Sequence, residues 1–197
     1  MNQELDYSIK LLVLGDLSVG KTSFIYKFTE NKFNEEQVSS AGLDLKTVDI
    51  VIESKKIRVQ LWDTAGEEKY KSITKNLILR VNGILILFDI TNKESFKNLS
   101  VWIRIINEFC GEDMAIIIIG NKRDLEERRT VPKEEASIFA RKSNYKYIET
   151  SCKTGENIKR AIHNICRKVI GCPAENSRSS FSLDVTSLKM KKKKKGC

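Results

Sequence analysis

Three short aliphatic runs constrain this chain most: KLLVLG at 10–15, GILILFD at 83–89 and AIIIIGN at 115–121. Each is near-continuous rather than alternating and has strand length, the pattern of strands that bury both faces in the middle of a parallel sheet. Burying both faces demands helices on both sides, and helical patterns around 21–30, 95–110, 133–142 and 156–169 supply them. The last sets Ile158, Ala161, Ile162, Ile165 and Val169 on one stripe. The segment DLKTVDIVIESKKIRVQLWD (44–63) instead alternates over two runs around a polar turn near Ser54 and Lys55, and reads as an antiparallel hairpin. The expected fold is α/β: a mixed, mostly parallel sheet with one antiparallel hairpin and helices on both faces. Ligands in such folds sit at the carboxyl ends of the strands.

Composition narrows the class. At 197 residues and 41% hydrophobic content the chain is long enough for one α/β domain with a proper core. The start, MNQELDYSIK, has no apolar signal region, and no stretch approaches the length of a membrane-spanning helix, so a cytosolic protein is expected. Five cysteines, at 110, 152, 166, 172 and 197, lack C-x-x-C pairing, which argues against a metal cluster or a disulfide framework. From Pro173 onward seven Lys or Arg face two Asp or Glu, so the last 25 residues hold +5 of the net +9. Ser and turn formers dominate there, and the chain is expected to divide into a domain at 1–172 and a disordered tail at 173–197.

Chemistry gathers at the strand ends. After LLVL comes GDLSVGKT (15–22), a full match to the phosphate-binding loop G-x-x-x-x-G-K-[ST], with a strand before it and a helix after it. Gly15 and Gly20 let the chain fold back so that backbone N–H groups and a helix N-terminus face a phosphate. Leu17, Ser18, Val19, Gly20, Lys21, Thr22 and Ser23 form the candidate phosphate-binding set, with Lys21 a charge for the β- and γ-phosphates and Thr22 a hydroxyl for Mg²⁺. Asp63, closing the second hairpin strand as D-T-A-G, suits a carboxylate reaching the Mg²⁺ shell through water, and the Gly66 N–H suits a γ-phosphate. At the end of AIIIIG stands NKRD, with Asn121, Lys122 and Asp124. The Asp124 carboxylate matches the N1–H and 2-amino donors of guanine, and adenine, lacking that pair, would leave it unpaired and buried. Ser151, Cys152 and Lys153, in TSCK after a further short strand, offer backbone N–H groups to the guanine O6.

In these segments, together with RVQLWDTAGEEKYKSIT (58–74) and FDITNKESF (88–96), residues 8 to 171 resemble the Ras superfamily of small GTPases, and most closely its Rab branch. The resemblance implies a P-loop GTPase fold with a six-stranded sheet, binding of GTP and GDP with Mg²⁺, and GTP hydrolysis. It places Phe33 against the guanine, Ser40 as the switch hydroxyl completing the Mg²⁺ shell with Thr22 and Asp63, and Trp62 on an effector-facing apolar surface. Lys21 and Glu67 become the candidate catalytic residues, because Glu67 stands where the family's catalytic Gln is expected. Implied partners are an exchange factor, a GTPase-activating protein, an escort or dissociation-inhibitor protein and effectors, all met through the switch regions by a monomer. The implied location is the cytosolic face of an internal membrane, in vesicle trafficking.

Departures from the family pattern are part of the reading. Ser40 replaces Thr, Leu45 and Leu77 replace aromatics beside Trp62, Cys152 replaces Ala, and Leu17 replaces a small loop residue. Leu17 and Glu67 together imply slow intrinsic hydrolysis, and they keep open the alternative of a slowly or non-hydrolysing GTP-loaded membrane scaffold. The tail carries Lys189 and Lys191 to Lys195 ahead of Cys197, a basic run before a candidate prenyl site, which suits an anionic membrane surface. Cys197 is not in a C-a-a-X box and stands alone where Rab tails usually end in two cysteines. Nucleic acid is not an expected partner, since no interleaved aromatics accompany the lysines. The lone His163 is read as structural or solvent-facing.

Overall fold

The computed structural model describes residues 4–34, 42–65, 76–110 and 114–171. Within them the strands are β1 (Tyr7–Gly15), β2 (Gly42–Ile52), β3 (Lys55–Ala65), β4 (Gly83–Asp89), β5 (Ala115–Asn121) and β6 (Lys146–Glu149). The helices are α1 (Lys21–Glu30), α2 (Lys93–Lys97), α3 (Leu99–Phe109), α4 (Lys133–Lys142) and α5 (Ile158–Val169). The six strands form one sheet in the order β2-β3-β1-β4-β5-β6. Every pairing is parallel except β2 with β3.

The aliphatic runs are near-continuous because each strand serves two cores. Ile9, Leu11 and Val13 join one cluster with Phe24, Ile25 and Phe28 of α1 and Ile158, Ile162 and Ile165 of α5. Leu12 and Leu14 point the other way, joining Leu99, Trp102 and Ile106 of α3 and Ala136 and Ala140 of α4. The period-2 geometry of a strand divides Ile117 and Ile119 from Ile116 and Ile118 in the same manner. Each such side chain contributes about 1.5–3 kcal/mol by burial, which is why the doubly covered stretches 11–14, 84–88 and 115–119 hold no polar side chain.

Several boundaries differ from the sequence expectation, most of them for a plain local reason. The hairpin turns at Glu53 and Ser54, both with positive φ (51° and 63°), one residue earlier than Ser54 and Lys55; two successive left-handed residues match the right-handed twist of the flanking strands. The Glu53 carboxylate meets Arg167 Nε of α5 at 3.1 Å, and the register pair Asp49 and Arg58 closes a bidentate ion pair at 2.8 and 2.9 Å. The helix expected at 95–110 starts at Lys93, because the Asn92 side chain caps it by accepting from the Glu94 and Ser95 N–H groups, and it breaks at Asn98. β3 runs on to Ala65, so Asp63 lies within the strand rather than closing it. A 3₁₀ helix at Arg123–Arg128, not foreseen, follows β5.

Candidate functional site

The carboxyl ends of β1, β3, β5 and β6 meet at one edge of the sheet. At β1, Gly15 has φ +139°, and a Cβ there would lie 2.2 Å from the Leu87 carbonyl oxygen of β4. Gly20 has φ +97°, and its added Cβ would meet Asn121 Nδ2 at 2.4 Å. Both positions therefore require glycine, for conformation and for close approach. α1 begins at Lys21 with no side-chain cap and no acidic residue in its first turn, which keeps its positive dipole end open to an anion. The Lys21 side chain is buried, its ammonium donating to the Gly15 and Asp16 carbonyls at 2.7 and 2.9 Å. Val19 packs into the core, whereas Leu17 is 64% exposed and Ser18 is exposed. Thr22 and Ser23 stand half-buried in the first helical turn.

Asp63 is 2% exposed and pairs in register with Val13, two residues before Gly15. A carboxylate and a hydroxyl, from Asp63 and Thr22, are hard oxygen donors of the kind Mg²⁺ takes, so these residues fit that ion. Among the described residues no group of three or more His, Cys, Asp or Glu could form an all-protein metal cage.

The ends of β5 and β6, where the base is expected, are built from side chains. Asn121 is buried; its amide donates to the Val19 carbonyl at 2.8 Å, and its carbonyl accepts from the Thr150 hydroxyl at 3.1 Å and the Cys152 thiol at 3.3 Å. It thus clamps the phosphate loop to the TSCK loop. Lys122 has φ +69° and bridges to Asp89 at 2.7 Å. Asp124 is exposed, not buried, and accepts the Ser151 hydroxyl at 2.5 Å. The Ser151 N–H donates to the Glu156 carbonyl at 3.2 Å. Cys152 is buried, and burial pushes its thiol up to about 12, so it is neutral and weakly nucleophilic. Phe33 is 36% exposed on the loop after α1.

Two clusters here carried no motif signal. Asp16, an unassigned position of the phosphate loop, accepts from Asn98 Nδ2 at 2.7 Å and Trp102 Nε1 at 2.9 Å. Behind the base loops, Arg129 forks onto the nearly buried Glu149 at 2.9 and 3.0 Å, and Tyr147 donates to the same carboxylate at 2.8 Å. The Glu126 and Glu149 carboxylates raise the Arg129 pKa further above its ordinary value. Only spatial neighbours reveal either cluster. Elsewhere, Trp62 is half-buried, pairs in register with the exposed Leu45, and packs with Leu77 against the core shared with α3 and α4. His163 is half-buried, and burial, with Arg167 and Lys159, pushes it down to about 4, which makes it neutral at physiological pH. Ser40, Gly66, Glu67 and Cys197 lie outside the described residues.

A phosphate loop followed by a buried carboxylate in β3, NKRD and TSCK on one sheet edge defines a guanine-nucleotide-binding protein of the P-loop class. The sequence model of the Ras family matches residues 10–171, and the chain belongs to that family. It is 39% identical over 170 residues to the human Ras-related protein Rab-8B, covering 86% of this chain and 82% of that protein. It is likewise 39% identical over 166 residues to the GTP-binding protein ypt3 of Schizosaccharomyces pombe, covering 84% and 78%. The rat Ras-related protein Rab-13 aligns at 36% over 195 residues, 98% of this chain and 96% of its own. The chain is a Rab-like GTPase, a guanine-nucleotide switch of vesicle trafficking.

Proposed function

We propose that the loop at 15–22 cradles the nucleotide phosphates, that Asp124 reads the guanine edge, and that Glu67 handles the attacking water. The observation that carries this is the convergence of Lys21, Asp63, Asn121 and Asp124 at the carboxyl-end edge of the sheet, from β1, β3 and β5, with Asn121 bonded to Val19. Thr22 and Asp63, with Ser40, are the residues that would hold Mg²⁺, and the ion when bound would neutralise charge on the β- and γ-phosphate oxygens. Lys21, pre-positioned by two loop carbonyls, supplies a fixed cation to the same oxygens. Asn121 holds the two loops together, and Ser151 orients the Asp124 carboxylate.

Hydrolysis requires a group that accepts a hydrogen bond from water and one that donates to the γ-phosphoryl oxygens. Gln does both; Glu67 retains the acceptor, loses the donor and adds negative charge. The consequence is slow intrinsic turnover, and the exposed Leu17 crowds the space that an activating protein's arginine would enter. The switch segments meet the exchange factor, activating protein, escort protein and effectors, with Trp62 and Leu45 on that surface. The tail at 173–197, with its basic run and a lipid on Cys197, anchors the domain at 1–172 to the cytosolic face of an internal membrane. No helix among the described residues is long and apolar enough to cross one. Single-turnover GTP hydrolysis by the purified chain tests the catalytic assignment. The parent should turn over slowly above buffer, and Glu67→Ala should turn over several-fold more slowly still. Equal rates would remove Glu67 from catalysis, and a parent no faster than buffer would replace the hydrolysing switch by a GTP-loaded scaffold.

A further inference from the structure

Asp16 is the sole acidic residue in the loop GDLSVGKT, and a carboxylate beside a phosphate site repels the ligand it helps to surround. Its two oxygens are each taken by a different donor, Asn98 Nδ2 at 2.7 Å and Trp102 Nε1 at 2.9 Å. Both donors come from the start of α3, 82 and 86 residues away in sequence. Trp102 is itself 8% exposed, its ring packed with Leu99 and Ile106 in the core on that face of the sheet, so its N–H is fixed in direction. The Asn98 carbonyl accepts from the Val101 and Trp102 N–H groups, which fixes the other donor's backbone. Meanwhile the Asp16 main-chain carbonyl is one of the two that receive the Lys21 ammonium. One residue therefore presents its carbonyl to the phosphate-binding lysine and its charged side chain to α3.

We infer that Asn98 and Trp102 form a latch that turns the Asp16 carboxylate away from the phosphates, making them positioning residues for nucleotide retention. With the latch open, the carboxylate is free to rotate toward the bound phosphates, and the loop carbonyl that seats Lys21 loses its anchor. Either event weakens the hold on the nucleotide, but only the first depends on the charge of Asp16. The electrostatic part is screened by salt, whereas the mechanical part is not. The latch also joins α3 to the phosphate loop, so a partner that shifts α3 would alter nucleotide release.

The inference rests on the phosphate loop holding the nucleotide, and the experiment separates the two. The full-length chain is loaded with a fluorescent GDP analogue, and its release into excess GDP is timed. Lys21→Ala should fail to retain the analogue; retention at the parental rate would overturn the phosphate-loop reading and the latch with it. With that arm as expected, Trp102→Phe, which keeps a packed ring but removes the N–H, should release the analogue at least about threefold faster. Asn98→Ala, at a half-buried position, should do the same without disturbing the core. Adding Asp16→Asn to Trp102→Phe should bring the rate most of the way back, and the acceleration by Trp102→Phe should be greater at about 0.02 M than at about 0.5 M salt. Parental release by both single variants would overturn the latch. An Asp16→Asn addition that fails to slow Trp102→Phe would overturn the charge argument and leave a purely mechanical brace.

Discussion

The two ends of the proposed nucleotide site are held by different means. At the phosphate end the backbone does the positioning: Gly15 and Gly20 adopt conformations other residues avoid, and Lys21 is seated on main-chain carbonyls. At the base end side chains do it, through Asn121, Thr150, Ser151 and Asp124, with the Arg129 and Glu149 pair behind them. A backbone-built site is indifferent to many side chains but intolerant of one added methyl. A side-chain-built site accepts small changes of volume but not the loss of a charged partner.

The sharpest way to break the contrast is Gly15→Ala. Its Cβ would collide with the Leu87 carbonyl, part of the sheet itself, so nothing flexible can give way. A loss of about 3 kcal/mol or more and failure to retain nucleotide are expected in chemical denaturation and binding assays. Arg129→Met comes next at the other end. It strands the Glu149 carboxylate, 6% exposed, leaving it Tyr147 and the more distant Arg123 among the described residues, and should cost about 2–3 kcal/mol, measured from the denaturation midpoint. Cys152→Ala is the smallest. It removes one thiol donor to Asn121 and should cost less than about 1 kcal/mol, with nucleotide release within twofold of the parent. A Cys152→Ala effect as large as that of Arg129→Met would mean that the base end is packed as tightly as the phosphate loop.

The same contrast decides what the sequence made legible. Sheet and phosphate loop could be read because their signals are local: aliphatic runs of strand length, and glycines at fixed spacing before a lysine. The short 3₁₀ helix at Arg123–Arg128 has no such period, and the start of β1 at Tyr7 depends on pairing with Ile57 across the sheet, so neither was visible. Asp124 was legible as chemistry but misjudged in burial, because it lies exposed at the rim with the Ser151 hydroxyl on it. Asp16 was passed over as a filler position of the motif, since its two donors lie on a helix more than eighty residues away. The clamp by Asn121 on Val19 likewise spans 102 residues. Local composition carries no trace of such contacts.

The central assignment, one guanine nucleotide spanning both ends with Asp124 reading its base, is tested most directly by Asp124→Asn. The substitution replaces an acceptor-only carboxylate by an amide whose N–H₂ can donate to a 2-oxo group, while leaving the phosphate loop untouched. Competition between guanosine and xanthosine diphosphates for the loaded chain reads the result. The parent should prefer guanosine diphosphate, and the variant should shift preference toward xanthosine diphosphate by at least about a hundredfold, the size expected when a site built to hydrogen-bond its ligand is mismatched and then matched. A variant that still binds guanosine diphosphate tightly and rejects xanthosine diphosphate as the parent does would contradict the assignment.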